Sequence, residues 1–228
     1  MRIAIAGGHG RVARRLSRAL VEHGDVPVAL VRTLEHVDDV VDDGAEAVVL
    51  DLERCNVNDV AQAVGGADAV VFAAGAGVGS GAPRKDSVDR GAAALLADAA
   101  HRAGVGRYVL VSSLGVEKVG GLGFPPLDMD PVFVAYLRAK AASEADLVRR
   151  EIAWTVLRPG RLTDDEGTGR VRLAAAADSP SLGGSVSRDD VATVLVALAH
   201  APTTAGQVLT LVAGDTHIPD AVAGLAAG

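Results

Sequence analysis

Residues 3–13 read Ile-Ala-Ile-Ala-Gly-Gly-His-Gly-Arg-Val-Ala, and this stretch decides the fold. Its four-residue apolar run predicts a buried strand, and the apolar spacing over Val12–His23 predicts a helix. Between them, Gly8, Gly10 and Ala13 satisfy the G-x-G-x-x-A fingerprint of a dinucleotide-binding turn. Glycines let backbone N–H groups approach a pyrophosphate, and the helix N-terminus favours negative charge there. The stretch therefore predicts the first strand, turn and helix of a nucleotide-binding α/β sheet.

Short apolar runs alternate with helical segments along the rest of the chain. The predicted strands are Ile3–Ala6, Val26–Val31, Ala47–Leu50, Ala69–Ala73, Tyr108–Ser112, Trp154–Leu157 and Gln207–Leu211. The predicted helices are Val12–His23, a short one near Leu34–Val41, Val57–Val64, Asp89–Ala103, Pro131–Glu151 and Arg188–Ala199. The first five strands lack polar alternation, as expected for strands that are buried on both faces. The pattern predicts a doubly wound parallel sheet of the Rossmann type, with strand order 3-2-1-4-5-6-7.

Two segments interrupt this alternation, 75–86 after the fourth predicted strand and 163–187 after the sixth. Both follow the carboxyl ends of strands, where open parallel sheets bind ligands. Ordinary surface loops are the alternative interpretation. We therefore expect one domain over residues 1–228, with a small C-terminal cap and a small substrate region formed by 75–86 and 159–187.

Composition narrows the classes of partner. The chain has 228 residues, a formal net charge of −7 and only 3% aromatic residues, which argues against a nucleic-acid partner. Its apolar stretches are far shorter than the roughly 20 residues that span a bilayer. Cys55 is the single cysteine, and the histidines show no metal-ligand spacing. We expect a cytoplasmic monomer or homodimer that acts on a small molecule and binds no metal, membrane or nucleic acid.

The end of the second predicted strand bears on cofactor choice. Folds that bind NAD carry an acid there for the ribose hydroxyls, but this chain has Arg32 at that position. Arg11 lies within the glycine turn. A pair of guanidinium groups suits a 2′-phosphate, so NADP(H) is favoured over NAD(H). Solvated surface arginines are the alternative.

Tyr136 and Lys140 are four residues apart on a predicted helix and therefore share one face. A phenol beside a cation can exchange the proton that accompanies hydride transfer to a carbonyl. Ser112 and Ser113 end the fifth predicted strand, at the same edge as the glycine turn, where a hydroxyl can hydrogen-bond a carbonyl oxygen. Each residue alone has an ordinary structural explanation, but the combination predicts an acid–base site.

On these motifs the chain resembles the atypical short-chain dehydrogenases/reductases, in the small NAD(P)H-binding branch with NmrA-like and biliverdin- or flavin-reductase-like proteins. The resemblance covers nearly the whole length and rests on Gly7–Ala13, Leu30–Arg32, Asp51–Leu52, Val109–Gly115, Tyr136–Lys140, Leu157–Gly160 and Ser187–Ala192. Two departures matter. The family's helix-borne Asn aligns with Asp89, whose ionisable group would change the family's proton relay. The region after the sixth strand is short, which favours a small or flat substrate.

The resemblance implies that Ser113, Tyr136 and Lys140 are catalytic, with Ser113 matching better than Ser112 and Lys140 also holding the ribose. With the glycine turn, it gives a predicted cofactor site formed by Gly7, Gly8, His9, Gly10, Arg11, Val12, Arg32, Asp51, Leu52, Ala73, Ala74, Gly75, Lys140, Pro159 and Gly160. In that site the 51–52 pair holds the adenine, 73–75 line the ribose and 159–160 flank the nicotinamide.

These residues predict an NADPH-dependent oxidoreductase that reduces a small carbonyl or quinone-like compound, with Tyr136 as the proton donor. Two alternatives stay open. A non-catalytic NAD(P)H-binding redox sensor or assembly factor of the NmrA kind would not need the Tyr136/Lys140 pair. A flavin- or biliverdin-type reductase would bind its substrate flat over the nicotinamide and would not need Tyr136 as an acid.

Overall fold

A mostly parallel sheet forms the centre of the molecule. The computed structural model describes residues 1–77, 80–119, 129–178 and 183–225, without the side chain of Ala82. Its strands are β1 (Arg2–Ala6), β2 (Val26–Val31), β3 (Glu46–Val49), β4 (Ala69–Phe72), β5 (Arg107–Val111), β6 (Ala153–Pro159), β7 (Arg161–Thr163), β8 (Arg170–Ala175), β9 (Ser185–Ser187), β10 (Gln207–Ala213) and β11 (Thr216–His217).

Helices cover both faces of this sheet. They are α1 (Arg11–His23), α2 (Val37–Asp42), α3 (Val57–Ala63), α4 (Ala82–Arg84), α5 (Ala93–Arg102), α6 (Pro131–Leu147), α7 (Arg188–Ala199) and α8 (Ile218–Gly224). A π-helical segment, Lys85–Ala92, joins α4 to α5. No helix within the described ranges is both long enough and apolar enough to cross a membrane.

The strand order confirms the predicted topology. The main sheet runs β11-β8-β10-β6-β5-β4-β1-β2-β3, and β10 is the seventh strand expected from the sequence. Neighbouring strands from β10 to β3 are parallel, whereas β8 pairs antiparallel with β10 and β11 pairs antiparallel with β8. Strands β7 and β9 form a separate two-stranded parallel sheet.

Two parts of the sequence prediction need correction. The segment 163–187 is not a plain loop, because it contains β8, whose Arg170-Val171-Arg172-Leu173 alternates charged and apolar residues as a half-exposed strand does. The helix predicted to begin at Asp89 begins earlier, since α4 and the π-helical segment precede it. Residues 179–182, within the predicted substrate region, lie outside the described residues.

Alternate residues of each central strand face different helical layers. In β1, Ile3 and Ile5 belong to the core under α1, α7 and α8, whereas Ala4 and Ala6 belong to the core under α3 and α5. All four side chains are buried. A strand that is covered on both faces needs apolar residues at every position, which is why these strands show no polar alternation in the sequence.

Candidate active site

Two glycines of the turn, Gly7 and Gly8, pack too closely against their neighbours to accept larger residues. Gly7 has φ +77°, and a Cβ there would lie 2.6 Å from the Ala74 Cα. A Cβ on Gly8 would lie 2.7 Å from the Ala29 Cβ, and the Gly8 N–H donates a 2.9 Å hydrogen bond to the Leu30 carbonyl. The turn is therefore held between β2 and the segment after β4. Its third glycine, Gly10, is the N-cap residue of α1.

A groove of about 290 Å³ opens beside this turn, at the carboxyl ends of the strands. We call it the glycine-turn groove. The predicted cofactor residues that line it are Gly7, His9, Gly10, Arg32, Asp51, Leu52, Ala73, Ala74 and Gly75. The sequence analysis missed further lining residues, namely Leu30, His36, Leu50, Glu53, Ala76, Arg84, Val88 and Ala92. Apolar lining residues with a few polar and charged groups among them are typical of a small-molecule site.

The basic side chains at this groove differ from those expected. Arg32 lines the groove, but Arg11 does not, and its exposed side chain pairs with Asp164 instead. His36 lies in the groove instead, and its ring stacks on that of His9 with 3.7 Å between ring centres. Burial, and to a smaller extent the nearby His9 and Arg32 side chains, lowers the pKa of His36. No sequence motif points to His36, apart from its position four residues after Arg32.

Six predicted cofactor residues do not line this groove. Besides Arg11 and Lys140, they are Gly8, Val12, Pro159 and Gly160. Gly8 is turned toward β2, and Val12 is buried in the core under α1. Pro159 ends β6 as a buried residue, and Gly160 follows it at a second groove. A Cβ on Gly160 would lie 2.4 Å from the Gly184 carbonyl oxygen, so this glycine is required by close packing of two chain segments.

The second groove, of about 900 Å³, holds two of the three predicted catalytic residues. We call it the tyrosine groove. Among the described residues, its lining consists of Ser113, Leu114, Gly115, Glu117, Lys118, Met129, Phe133, Tyr136, Leu137, Gly160, Arg161, Leu162, Gly183, Gly184 and Arg188. Ser113 and Tyr136 thus face one space. Ser113 Oγ donates a 2.9 Å hydrogen bond to the Leu114 carbonyl.

Two lysine ammonium groups flank the Tyr136 ring. Lys85 Nζ lies 5.4 Å and Lys140 Nζ lies 5.9 Å from the ring centre, both within the range of a cation–π interaction. No sequence motif points to Lys85, which reaches the Tyr136 ring from the π-helical segment. Its ammonium donates a 2.8 Å hydrogen bond to the Gly77 carbonyl. The chain has three lysines, and the third, Lys118, lines the tyrosine groove. All three lysines therefore lie at or near the tyrosine groove, which their positions in the sequence do not indicate.

Lys140 lies between the two grooves and is buried. Its Nζ is 3.1 Å from Oδ1 of Asp89 and donates hydrogen bonds to the carbonyls of Val111, at 3.0 Å, and Ala74, at 3.4 Å. The other oxygen of Asp89 accepts a 3.2 Å hydrogen bond from the Ala76 N–H. The pair therefore joins α6 to the ends of β4 and β5. Asp89, which aligns with the family's helix-borne Asn, is thus the ion-pair partner of Lys140. The alignment alone does not indicate this pairing.

Ser112, the alternative to Ser113, has a different environment. Its hydroxyl donates to Glu144, and the same carboxylate accepts two hydrogen bonds from the Arg158 Nε, at 3.0 and 3.2 Å. All three residues are buried or nearly so. This network fixes α6 against the end of β6 and leaves Ser113 as the serine that faces the tyrosine groove.

The strand order, the glycine turn and the groove beside it define a Rossmann-type dinucleotide-binding protein. The chain belongs to the NAD(P)H-binding family, whose family model matches residues 7–202. The resemblance to atypical short-chain dehydrogenases/reductases is thereby confirmed, and the family is one of oxidoreductase-like and epimerase-like proteins.

Three relatives show how far the similarity extends. YhfK of Bacillus subtilis, by name an uncharacterized sugar epimerase, is 31% identical over 97% of this chain and 99% of its own. A solved Bacillus halodurans protein, provisionally named an NAD-dependent epimerase/dehydratase, is 33% identical with a TM-score of 0.86, over 98% of this chain and 99% of its own. ChuY of Escherichia coli O157:H7, an anaerobillin reductase, is 25% identical with a TM-score of 0.76, over 94% and 98% of the two chains.

Proposed function

We propose that this protein is an NADPH-dependent reductase of a small carbonyl or quinone-like compound. The observation that carries the proposal is the position of Lys140. Its ammonium contacts the Ala74 carbonyl in the wall of the glycine-turn groove and lies 5.9 Å from the ring centre of Tyr136, which lines the tyrosine groove. A cofactor groove and a chamber with a phenol and a serine hydroxyl are thus adjacent.

The residues of the glycine-turn groove fit a dinucleotide. A side chain on Gly7 or Gly8 would collide with Ala74 or Ala29, so both positions require glycine. Without side chains there, the backbone N–H groups at the start of α1 are open to a phosphate. Asp51 and Leu52 would hold the adenosine half, with Arg32 beside the ribose 2′ position. The bound nicotinamide would supply the hydride.

The residues of the tyrosine groove would manage the proton and the substrate oxygen. Tyr136 is proposed to donate a proton to that oxygen, and Ser113 to orient it with a hydrogen bond once its hydroxyl leaves the Leu114 carbonyl. Lys85 and Lys140 would stabilise the phenolate that remains. Segments 160–162 and 183–184 line this groove, which supports 159–187 as the substrate region, whereas 75, 76 and 84 line the other groove.

A second candidate is a reductase of a large, flat and anionic substrate, of the flavin or biliverdin type. Two observations favour it: the volume of the tyrosine groove, about 900 Å³, and its charge. Lys118, Arg161 and Arg188 line it beside one acid, Glu117, and within the described ranges only Arg188 of these cations pairs with a carboxylate. The likeness to the anaerobillin reductase ChuY is consistent with such a substrate.

A cofactor-oxidation screen tests both candidates. Purified protein is mixed with NADPH or NADH and with panels of carbonyls, quinones, flavins and biliverdin, and the loss of absorbance of the reduced nicotinamide is followed. Turnover of carbonyls or quinones with NADPH supports the first candidate, and turnover of only flavins or biliverdin supports the second. Tight NADPH binding without turnover of any panel would contradict both and favour the sensor of the NmrA kind.

A further inference from the structure

Two imidazoles and a carboxylate meet at the edge of the sheet opposite the glycine turn. Asp25 directly precedes β2, His23 is the last residue of α1, and His200 directly follows α7. The Asp25 Oδ2 lies 2.9 Å from the His23 Nδ1 and 2.8 Å from the His200 Nε2. We call these three residues the His-Asp-His cluster. One donor atom from each lies within 4.8 Å of the others.

The carboxylate of this cluster is fixed, whereas the imidazoles are reachable. The Asp25 side chain is only 3% exposed, but those of His23 and His200 are 52% and 30% exposed. The second oxygen, Oδ1, accepts a 2.6 Å hydrogen bond from the Met1 amine, which orients the carboxylate and leaves Oδ2 to the imidazoles. A supporting hydrogen bond of this kind is what holds a metal-binding carboxylate in one orientation.

Two helices direct their C-terminal ends at the same place. α1 ends at His23, where Gly24 caps it in the left-handed conformation, and α7 ends one residue before His200. Each helix C-terminus carries a partial negative charge of about one half, which stabilises a cation placed there. The buried carboxylate adds a full negative charge. The Met1 ammonium balances that charge on the side of Oδ1. The two helix ends still leave the field at the imidazoles favourable to a positive ion.

We propose that the His-Asp-His cluster binds a divalent transition-metal ion, with Zn²⁺ as the best match. Two imidazole nitrogens and one carboxylate oxygen form the donor set of open zinc sites, whereas Mg²⁺ and Ca²⁺ prefer oxygen ligands alone. Zinc bonds of about 2.0–2.2 Å place tetrahedral donors roughly 3.3 Å apart. The two imidazole nitrogens would have to move away from Oδ2 by roughly a few tenths of an ångström. They would also have to reach the same spacing from each other, starting from a separation of at most 4.8 Å. Water would complete the coordination.

The site would act on stability rather than on the candidate active site. α1 has thirteen residues, so its two ends are separated by about 20 Å, and the ion would lie that far from the glycine turn. It would join the C-terminal ends of α1 and α7, which pack on each other in the core. The histidines show no metal-ligand spacing in the sequence, because His200 reaches His23 and Asp25 only through the fold.

Calorimetric titration of the untagged full chain with ZnCl₂ tests the proposal. We expect one Zn²⁺ per chain, no binding of Mg²⁺ at the same concentration, and a higher unfolding temperature with zinc. His23→Gln and His200→Gln should each weaken zinc binding by about tenfold or more. Two control variants, His101→Gln and Cys55→Ser, remove other potential ligands and should bind zinc as the natural chain does.

His23→Gln is the deciding variant, because the half-exposed side chain can be replaced without loss of the fold. Unfolding temperature without metal verifies that for each variant. Zinc binding that His23→Gln and His200→Gln leave unchanged would overturn the proposal, as would the absence of saturable binding by the natural chain. Dinucleotide titration in the presence of zinc should give unchanged affinity, so that failure of the reductase proposal and failure of this one remain distinguishable.

Discussion

Lys140 and Asp89 form an ion pair that solvent hardly reaches, with 3.1 Å between Nζ and Oδ1 and side-chain exposures of 4% and 0%. Two backbone carbonyls complete the surroundings of the ammonium. A buried charge of this kind is tolerated only with a partner, because each ion has lost its water. The lysine that the family resemblance assigns to catalysis is therefore also part of the packing of α6 on the sheet.

Removal of one partner of this pair should destabilise the fold. We expect Asp89→Ala to lower the free energy of unfolding by about 3–5 kcal/mol, because it leaves a buried ammonium without its carboxylate. Asp89→Asn keeps an oxygen for Lys140 and should cost less. Urea denaturation measures both. The matched control is Asp86→Ala, which removes an exposed ion pair with Arg90 from the same segment and should change stability little. Equal effects of the two alanine variants would contradict a buried pair.

Replacement of Tyr136 by Phe removes one hydroxyl and keeps the ring between its two lysines. If the hydroxyl is the acid, turnover should fall by about 10²–10⁴-fold with little change in NADPH affinity. Steady-state kinetics with a substrate from the screen provides the measurement. Tyr108→Phe is the control, since among the described residues that buried hydroxyl donates only to the Ala93 carbonyl. It should cost about 0.5–1.5 kcal/mol of stability and leave turnover unchanged. Normal turnover by Tyr136→Phe would favour the flavin-type reductase.

The placement of the arginines makes cofactor preference testable. Arg32 lines the glycine-turn groove and Arg11 does not. We expect the natural chain to bind NADPH more tightly than NADH, and Arg32→Ala to weaken NADPH binding by about 1–3 kcal/mol through loss of a charge-assisted contact. Calorimetry with both cofactors measures this. Arg11→Ala is the matched control and should leave the preference as it is. Equal losses for NADH and NADPH in Arg32→Ala would refute a role at the 2′-phosphate.

Gly8 and Gly10 should respond differently to the same substitution. Gly10 has ordinary extended angles, φ −65° and ψ 152°, and a Cβ there meets only the Gly7 carbonyl oxygen closely, at 3.0 Å. Gly10→Val should therefore remove NADH and NADPH binding together with a small change in unfolding temperature. Gly8→Val drives its side chain into Ala29 and should destabilise the fold itself. Thermal unfolding and cofactor titration separate the two, and undiminished binding by Gly10→Val would exclude the turn as the pyrophosphate site.

His36 should make NADPH binding depend on pH. Its lowered pKa leaves the imidazole uncharged at neutral pH, and a neighbouring 2′-phosphate would favour the protonated form. NADPH binding should then take up a proton, so its affinity should increase, relative to that of His36→Gln, as the pH falls from about 7.5 to 6. NADH lacks the phosphate and should show no such difference. Titrations at several pH values give the slopes, and parallel slopes for the natural chain and the variant would contradict the prediction.

The sheet could be predicted from the sequence because each strand is marked by a pattern of only a few neighbouring residues. Each central strand is a short apolar run that is covered on both faces, and the glycine turn marks β1 as the first strand. β8 was missed because its alternation of Arg and Val spans only a few residues. The site was predicted in part: the strand ends and the Tyr136 face follow from local spacing. The partners of Lys140 and the position of Lys85 depend on contacts between segments that are distant in the sequence. The spacing of residues along the chain does not indicate such contacts.

The π-helical segment Lys85–Ala92 makes the candidate site sensitive to the deletion of a single residue. Both Lys85 and Asp89 reach their partners from it, one toward the Tyr136 ring and one toward Lys140. A π-helical turn contains about one residue more than an α-helical turn, so loss of a single residue here would rotate what precedes it by about 100° relative to α5. One of the two side chains would then point away from α6. Substitutions elsewhere in the segment would leave both contacts in place, whereas deletion of one residue would remove one of them.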